Sequence, residues 1–242
     1  MLSDTEARNA LIVALDCDRA RALELTDLLA NHARWVKVGM TLFYRYGPGI
    51  VQEMKDRGFN VFLDLKVHDI PFQVHGAVRS ASLSGADIIS IHALGGSHMI
   101  ASGRSGAAEA AEIRGVGEKG RTKLVAISIL TSMNEEDLSS IGVRDTVASE
   151  VERLAKLSYN AGADGLVCSA QEASSMREIL GPEALIITPG IRPRGAEKGD
   201  QQRTATPASA ISAGASKLVI GRPITEAKDP CMAFEEIVKE LI

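Results

Sequence analysis

The sequence has few cysteines and no pattern that would use them together. Cys17, Cys168 and Cys231 are an odd set with no CxxC or CxxH spacing, which argues against a disulfide framework and a zinc site. No apolar run of about 18 residues could cross a bilayer, so we expect no membrane partner. The start, MLSDTEARNA, lacks the basic and apolar regions of a signal peptide. Together these absences predict a cytoplasmic protein.

The chain also lacks a strong charge of either sign. It has 27 Lys and Arg against 31 Asp and Glu, a formal net charge of −4, which gives no reason to expect nucleic acid as a partner. No group of His, Asp or Glu shows metal-ligand spacing, so we expect no metal. No linker or low-complexity tract interrupts the 242 residues, and we expect a single domain over residues 1–242.

Short apolar runs rich in Val and Ile alternate with longer amphipathic stretches, and several of those stretches end in Gly-Ala-Asp or Gly-Ala-Ser. Such runs are typical of buried parallel strands, and such endings of a helix that stops before a strand. The predicted strands are residues 10–16, 34–39, 60–66, 87–93, 123–130, 164–169, 184–190 and 217–222. Eight strand–helix units predict an α/β fold, a single (β/α)8 TIM barrel. A doubly wound sheet would normally carry GxGxxG after its first strand, which here ends in LDCDRA.

Charged residues lie at the ends of the first three predicted strands. Alternate residues of a barrel strand point inward, so Asp64 and Lys66 share the inner face of the third strand. The same alternation points Lys37 inward on the second strand and Asp16 inward at the end of the first. Barrel enzymes carry their chemistry at this end of the strands. One such pair could be a structural salt bridge, but several charges at one end favour a site.

Two further residues leave their roles open. Asp69 follows the third strand and precedes Ile-Pro, where a helix N-cap is an alternative to a site residue. His92 ends the fourth strand and points inward by alternation, and we interpret it as a histidine of the core or of the surroundings of a site. The residues alone do not show whether Asp69 is a helix N-cap or a site residue.

The segment DLKVHDIP at residues 64–71 resembles the DxKxxDIP signature of orotidine 5′-monophosphate decarboxylases, in the bacterial-type branch. The resemblance continues in order along the chain. It covers ALD at 14–16, VKVG at 36–39, IHALGG at 91–96, LTSM at 130–133, TPGIRP at 188–193, GDQQRTATP at 199–207 and GRPIT at 221–225. It implies decarboxylation of orotidine 5′-monophosphate to UMP and CO2 without a cofactor, the last step of de novo pyrimidine biosynthesis.

The resemblance also implies a catalytic tetrad of Lys37, Asp64, Lys66 and Asp69. The family forms homodimers, and Asp69 would enter the partner's site. Where the family usually has threonine, two residues after the signature proline, this chain has Gln73. That position contacts the ligand from the neighbouring subunit, and an amide can still donate and accept hydrogen bonds.

The resemblance assigns the remaining ligand contacts to residues at the ends of the strands and in the loops that follow them. Lys37 and Asp16 would bind the ribose, and Thr131 the pyrimidine edge. The phosphate would be bound by Arg192, Gln201 and Arg222, with Gly221 allowing close approach of the backbone. We expect the polar stretch 191–203 to act as a lid over the phosphate.

In this interpretation Lys66 stabilises the charge that develops at C6 and then protonates that carbon. Asp64 would lie against the departing carboxylate. Two alternatives remain at this point. One is a magnesium-dependent sugar-phosphate decarboxylase or aldolase of the same barrel group, and the other is a barrel that binds nucleotides without catalysis.

Overall fold

Eight parallel strands close into a barrel in which the strand order follows the chain from β1 to β8. This is a computed structural model, and it describes residues 1–193 and 204–242. The strands are β1 (Leu11–Ala14), β2 (Trp35–Gly39), β3 (Asn60–Val67), β4 (Ile88–His92), β5 (Lys123–Ile127), β6 (Gly165–Val167), β7 (Leu185–Thr188) and β8 (Lys217–Ile220). The predicted barrel is confirmed. Most strands are shorter than predicted, and β1 ends before Asp16, which therefore lies in the following loop.

The helices are more numerous than one per strand in the described residues. They are α1 (Asp4–Ala10), α2 (Arg19–Leu29), α3 (Met40–Tyr46), α4 (Gly49–Asp56), α5 (Pro71–Leu83), α6 (Gly96–Arg114), α7 (Glu135–Ser140), α8 (Val147–Asn160), α9 (Ala173–Leu180), α10 (Pro207–Ser212), α11 (Arg222–Thr225) and α12 (Pro230–Leu241). Two helices follow each of β2, β5 and β8, and α1 precedes β1. In this part of the chain, none of them has both the length and the apolar character to cross a membrane.

Apolar side chains form two layers, one on each side of the barrel wall. The inner layer fills the barrel with residues such as Ile12, Phe62 and Val125. The outer layer packs the strands against the helices, with Val61 and Leu63 of β3 among its fully buried members. This alternation is the one expected from the strand period, and it leaves the polar side chains of the inner face at the two ends of the barrel.

Three turns at the amino ends of the strands share one construction. Each ends a helix with a glycine in the left-handed region, which only glycine adopts at little cost, and continues with alanine and a polar residue. The turns are Gly85-Ala86-Asp87, Gly162-Ala163-Asp164 and Gly214-Ala215-Ser216. The three polar side chains accept, respectively, the Val61 N–H at 2.7 Å, the Leu124 N–H at 2.8 Å and the Ile186 N–H at 3.1 Å. The Gly-Ala-Asp and Gly-Ala-Ser triplets thus stop a helix and also cap the preceding strand.

Candidate active site

A cavity of about 570 Å³ lies at the carboxyl ends of the strands. Its floor is the inner apolar layer, which contributes Ala14, Phe62, Ile127, Val167 and Val219. The polar residues of its wall include Asp16, Lys37, Asp64, Lys66, Thr131, Arg192 and Arg222, together with Gly221. The volume is in the range of protein sites for small molecules. The structure therefore brings most of the predicted site residues into one cavity.

Four charged groups of alternating sign form a chain along one side of this cavity. Lys66 Nζ lies 2.8 Å from Asp64 Oδ2, and Lys37 Nζ lies 3.8 Å from the same oxygen. Lys37 Nζ also donates to Asp16 Oδ1 at 2.7 Å. The strands place these groups side by side, because Lys37 pairs with Phe62 in the sheet and Gly39 pairs with Asp64.

Of the two carboxylates in this network, that of Asp64 is the more enclosed, with 12% of its side chain exposed against 62% for Asp16. Burial by itself would raise the Asp64 pKa, but the charges of Lys66 and Lys37 and the hydrogen bonds from Lys66 and Ser90 outweigh it. The Asp64 pKa is therefore held below its ordinary value. Asp64 is therefore an anion at neutral pH. Any ligand group that binds beside Lys66 also lies close to this negative charge.

The backbone at Lys66 is strained. Its φ is 51°, and among the described residues Lys66 is the only residue other than glycine with a positive φ. Such a conformation costs roughly 1–3 kcal/mol and is found mainly at functional sites. It coincides with a register shift between Leu63 and Val67 in the pairing of β3 with β4. The irregular backbone aims the Lys66 side chain into the cavity.

Ser90 on β4 holds this strained segment in place. Its hydroxyl donates to Asp64 Oδ1 at 2.7 Å and accepts the Lys66 backbone N–H at 2.9 Å. Ser90 thus fixes both the carboxylate of Asp64 and the backbone of Lys66. Sequence reasoning missed this residue, although it alternates with His92 on the inner face of β4 and could have been found by that signal.

Gly39 gives the Asp16–Lys37 pair the space that it occupies. A Cβ at Gly39 would lie 2.9 Å from Asp16 Oδ1 and 3.0 Å from Lys37 Nζ. Both distances are too short for an unrelaxed contact with a methyl group. A side chain at the end of VKVG would therefore displace this ion pair.

His92 lies near the network without joining it by a hydrogen bond. Its ring stacks on that of His68, with centroids 5.4 Å apart, and its Nδ1 is buried without a hydrogen-bond partner. Burial, His68 and Lys66 together lower the His92 pKa. This arrangement agrees with a histidine in the surroundings of the site.

The phosphate side of the predicted site is described in part. Arg192, Gly221 and Arg222 line the cavity, as does Thr131 after β5. The Arg192 N–H donates to the Ala205 carbonyl at 2.9 Å, beside a bridge between Ile191 and Ala205, so these two segments meet. Gln201 and most of the proposed lid 191–203 lie outside the described residues.

Two predicted site residues are not in the cavity of their own chain. Asp69 is exposed, and its Oδ1 accepts the N–H of Ile70 at 2.7 Å. It is not the N-cap of α5, because that position is Ile70. Gln73 is exposed in the first turn of α5. Neither residue lines the cavity, so their predicted contact with a partner's site stays a prediction.

The closed barrel and its charged cavity at the carboxyl ends of the strands define a (β/α)8-barrel enzyme. A family model described as "Orotidine 5'-phosphate decarboxylase / HUMPS family" matches residues 9–237. The chain belongs to this family.

Individual relatives agree with the family match. Orotidine 5'-phosphate decarboxylase of Vibrio cholerae O395 is 47% identical over 96% of this chain and 98% of its own length. The protein of the same name from Chromohalobacter salexigens is 45% identical over 96% and 95%. The crystal structure of orotidine 5'-phosphate decarboxylase from Lactobacillus acidophilus superposes with a TM-score of 0.82 at 38% identity, covering 96% of this chain and 98% of that one.

Proposed function

We propose that this chain decarboxylates orotidine 5′-phosphate to UMP and CO2, the last step of de novo pyrimidine biosynthesis. The observation that carries the proposal is the Asp64–Lys66 pair, 2.8 Å apart, in the same cavity as Arg192 and Arg222. The substrate has a carboxylate on the ring carbon that reacts and a phosphate at its other end. A cation at one side of the cavity and arginines at the other suit both groups. The family match and the names of the relatives support the same reaction.

Lys66 carries the chemical step in this proposal. The bond between C6 and the carboxyl carbon breaks, CO2 leaves, and the electron pair stays on C6. The Lys66 ammonium stabilises that charge as it develops and then donates a proton from Nζ to C6. The fixed backbone of Lys66, held by Ser90, supports this role because a group placed in advance needs no reorganisation during the reaction.

Asp64 faces the carboxylate that departs, and the repulsion between the two anions is relieved when CO2 leaves. It also aims the Lys66 ammonium through their hydrogen bond. Lys37 continues the network to Asp16, and these two residues bind the ribose hydroxyls. Thr131 binds the pyrimidine edge, and Arg192, Gln201, Gly221 and Arg222 bind the phosphate. Binding energy from the phosphate, far from C6, supports the chemical step at the other end of the substrate.

Turnover of the purified protein tests the proposal against its alternatives. Orotidine 5′-phosphate is expected to give UMP and CO2 in equal amounts, at a rate unchanged by excess EDTA. A magnesium-dependent sugar-phosphate enzyme would instead lose its activity in the chelator and act on a sugar phosphate. A protein that binds UMP without releasing CO2 from orotidine 5′-phosphate would be a binding barrel. Either result would contradict the proposal.

We also propose that the chain acts as a homodimer in the cytoplasm. Large apolar side chains are exposed after three neighbouring strands, at Met40, Tyr44, Ile70, Phe72 and Leu94. Phe72 is 81% exposed and Tyr44 is 73% exposed, which is costly for a surface without a partner. Asp69 and Gln73 lie in the same segment as Ile70 and Phe72. A second copy on this face brings Asp69 to the partner's cavity.

Mixing two inactive variants tests the shared site. Lys66→Ala and Asp69→Ala chains, each inactive alone, are expected to recover activity when subunits exchange. A mixed dimer then has one site with both lesions and one with neither. If exchange is demonstrated by mass spectrometry and activity does not return, Asp69 acts within its own chain or not at all.

A further inference from the structure

Arg21 lies in the first turn of α2 and lines the cavity on the same side as Arg222, but the proposed function gives it no role. Its Nη2 donates to the carbonyl of Thr225 at 2.8 Å. Its Nη1 pairs with Glu24 at 2.8 Å, one turn further along α2. About a third of the Arg21 side chain is exposed, so the guanidinium forms part of the cavity wall.

The acceptor, Thr225, is the last residue of α11, and Arg222 is the first. A helix of four residues has no stability of its own, so packing and outside hydrogen bonds determine where it lies. Ile224 supplies the packing, because it is fully buried. The last carbonyls of a helix have no partner within it, and Arg21 provides one for Thr225.

Arg21 is itself held on the other side. Asp18 caps α2 by accepting the Arg21 backbone N–H at 2.8 Å, and Asp18 lies two residues after Asp16. The contact between Arg21 and Thr225 therefore joins the start of α2 to the end of α11. The loop before α2 carries the proposed ribose ligand Asp16, and the proposed phosphate ligands Gly221 and Arg222 are the N-cap and the first residue of α11.

We infer that Arg21 is a positioning residue for phosphate recognition: it fixes the end of α11 and thereby aims Arg222 at a phosphomonoester. The inference rests on the proposed function for its substrate. Its effect passes through Arg222, so it depends on a phosphate in the ligand and on Arg222 being present.

Steady-state kinetics on a set of variants test this inference. The set is wild type, Arg21→Ala, Arg21→Lys, Arg222→Ala, the double variant Arg21→Ala/Arg222→Ala, and the control Arg19→Ala. Arg19 is on the same helix but pairs with Glu53 of α4, away from the cavity. Each variant is assayed with orotidine 5′-phosphate and with orotidine, and its melting temperature is measured.

We expect Arg21→Ala to lower kcat/KM for orotidine 5′-phosphate about 10-fold, since a hydrogen bond from a charged group is lost. Turnover of orotidine should stay within about twofold, because it has no phosphate for Arg222 to bind. Arg21→Lys should recover part of the loss, since an ammonium can still donate to the Thr225 carbonyl. The double variant should be no worse than Arg222→Ala, and Arg19→Ala should match wild type.

Two results would overturn the inference. Additive losses in the double variant would mean that Arg21 contacts the ligand directly or acts elsewhere. Equal losses with orotidine and with orotidine 5′-phosphate would mean that Arg21 supports the fold. If the wild type does not turn over orotidine 5′-phosphate, the proposed function fails instead, and the binding constant of inorganic phosphate to the same variants tests Arg21 alone.

Discussion

Charged side chains gather at both ends of this barrel, but the two ends hold them in different ways. At the amino ends of the strands, Asp164 accepts hydrogen bonds from both terminal nitrogens of Arg121 and from the Leu124 N–H. At the carboxyl ends, Asp64 binds the side chains of Lys66 and Ser90 and faces a cavity. The amino-end charges cap strands, whereas the carboxyl-end charges line a cavity beside a strained backbone.

The groups around an ion pair, backbone N–H groups in one case and a cavity in the other, indicate its role. Buried ion pairs stabilise little by themselves, so a fold has little reason to keep one without a further role. At the amino end that role is to satisfy backbone groups. At the carboxyl end, within residues 1–193 and 204–242, the ammonium groups of Lys37 and Lys66 donate to carboxylates and to no backbone carbonyl. We therefore expect mutations there to reduce activity and mutations at the amino end to reduce stability.

The largest expected effect is that of Lys66→Ala on turnover. Loss of a proton donor typically costs about 10²–10⁴-fold, and loss of the cation that stabilises developing charge adds to it. The melting temperature and the binding of UMP should change little, because Lys66 is at the cavity surface. The measurements are kcat and the UMP dissociation constant. A variant that keeps more than about a tenth of the wild-type kcat would remove Lys66 from the donor role.

Asp164→Ala should have the opposite pattern. It leaves the buried Arg121 with one carboxylate partner, the exposed Glu118. Removing one partner of a buried ion pair typically costs about 3–5 kcal/mol in the free energy of unfolding, and we expect the low end of that range. The kcat of the folded fraction should be unchanged. Urea unfolding measures the loss, with Glu152→Ala as the control, since Glu152 belongs to an exposed pair worth at most about 0.5 kcal/mol. A loss as small as that of the control would mean that the strand cap is not structural.

Arg222→Ala should lower both kcat and kcat/KM for orotidine 5′-phosphate. A charge-assisted phosphate contact is worth about 1.5–3 kcal/mol, and binding energy from a remote phosphate also contributes to the chemical step. Orotidine should be a poor substrate of the wild type, and the variant should hardly worsen it. An equal loss with both substrates would place the effect of Arg222 in the ring site or in the fold.

A pH dependence of stability is expected at the amino end, carried by Lys217. This buried lysine donates to the Asn9 carbonyl at 2.7 Å and lies over the Trp35 ring. Burial lowers its pKa from 10.5 to about 8. Because the folded pKa is below the unfolded one, the buried ammonium costs stability below pH 8, and this cost disappears as the pH rises toward 10.5.

Between pH 7 and pH 10 the wild type should therefore gain roughly 2–3 kcal/mol of unfolding free energy relative to Lys217→Met. Urea unfolding at several pH values measures the difference between the two proteins. Lys239→Met is the control, because Lys239 is exposed on α12. If the free energies of unfolding of Lys217→Met and Lys239→Met depend on pH in the same way, burial of the Lys217 ammonium does not reduce stability.

Much of this arrangement could be predicted from local sequence. The strand period placed Lys37, Asp64 and Lys66 on the inner face, and the structure brings them together in the cavity. The Gly-Ala-Asp and Gly-Ala-Ser triplets correctly predicted helix ends, because the positive φ that ends a helix is a local property of glycine.

The features that could not be predicted depend on contacts between distant segments. The register shift that gives Lys66 its positive φ is a property of the pairing of β3 with β4. Arg21 and Thr225 are 204 residues apart, and no local pattern indicates their contact. The strand-capping role of Asp87 and Asp164 depends on the neighbouring strands in the same way. The predicted end of the first strand at Asp16 was wrong: β1 ends at Ala14, and periodicity does not detect the short loop that follows.

We propose that the carboxyl-end network stabilises a carbanion at C6 and that Lys66 exchanges a proton with that carbon. This can be tested without CO2 release by NMR, which follows the exchange of the C6 hydrogen of UMP for deuterium in D2O with excess EDTA. We expect exchange with the wild type and with the folded Asp164→Ala protein, and none above background with Lys66→Ala. Exchange at the wild-type rate in Lys66→Ala would show that Lys66 is not the proton donor.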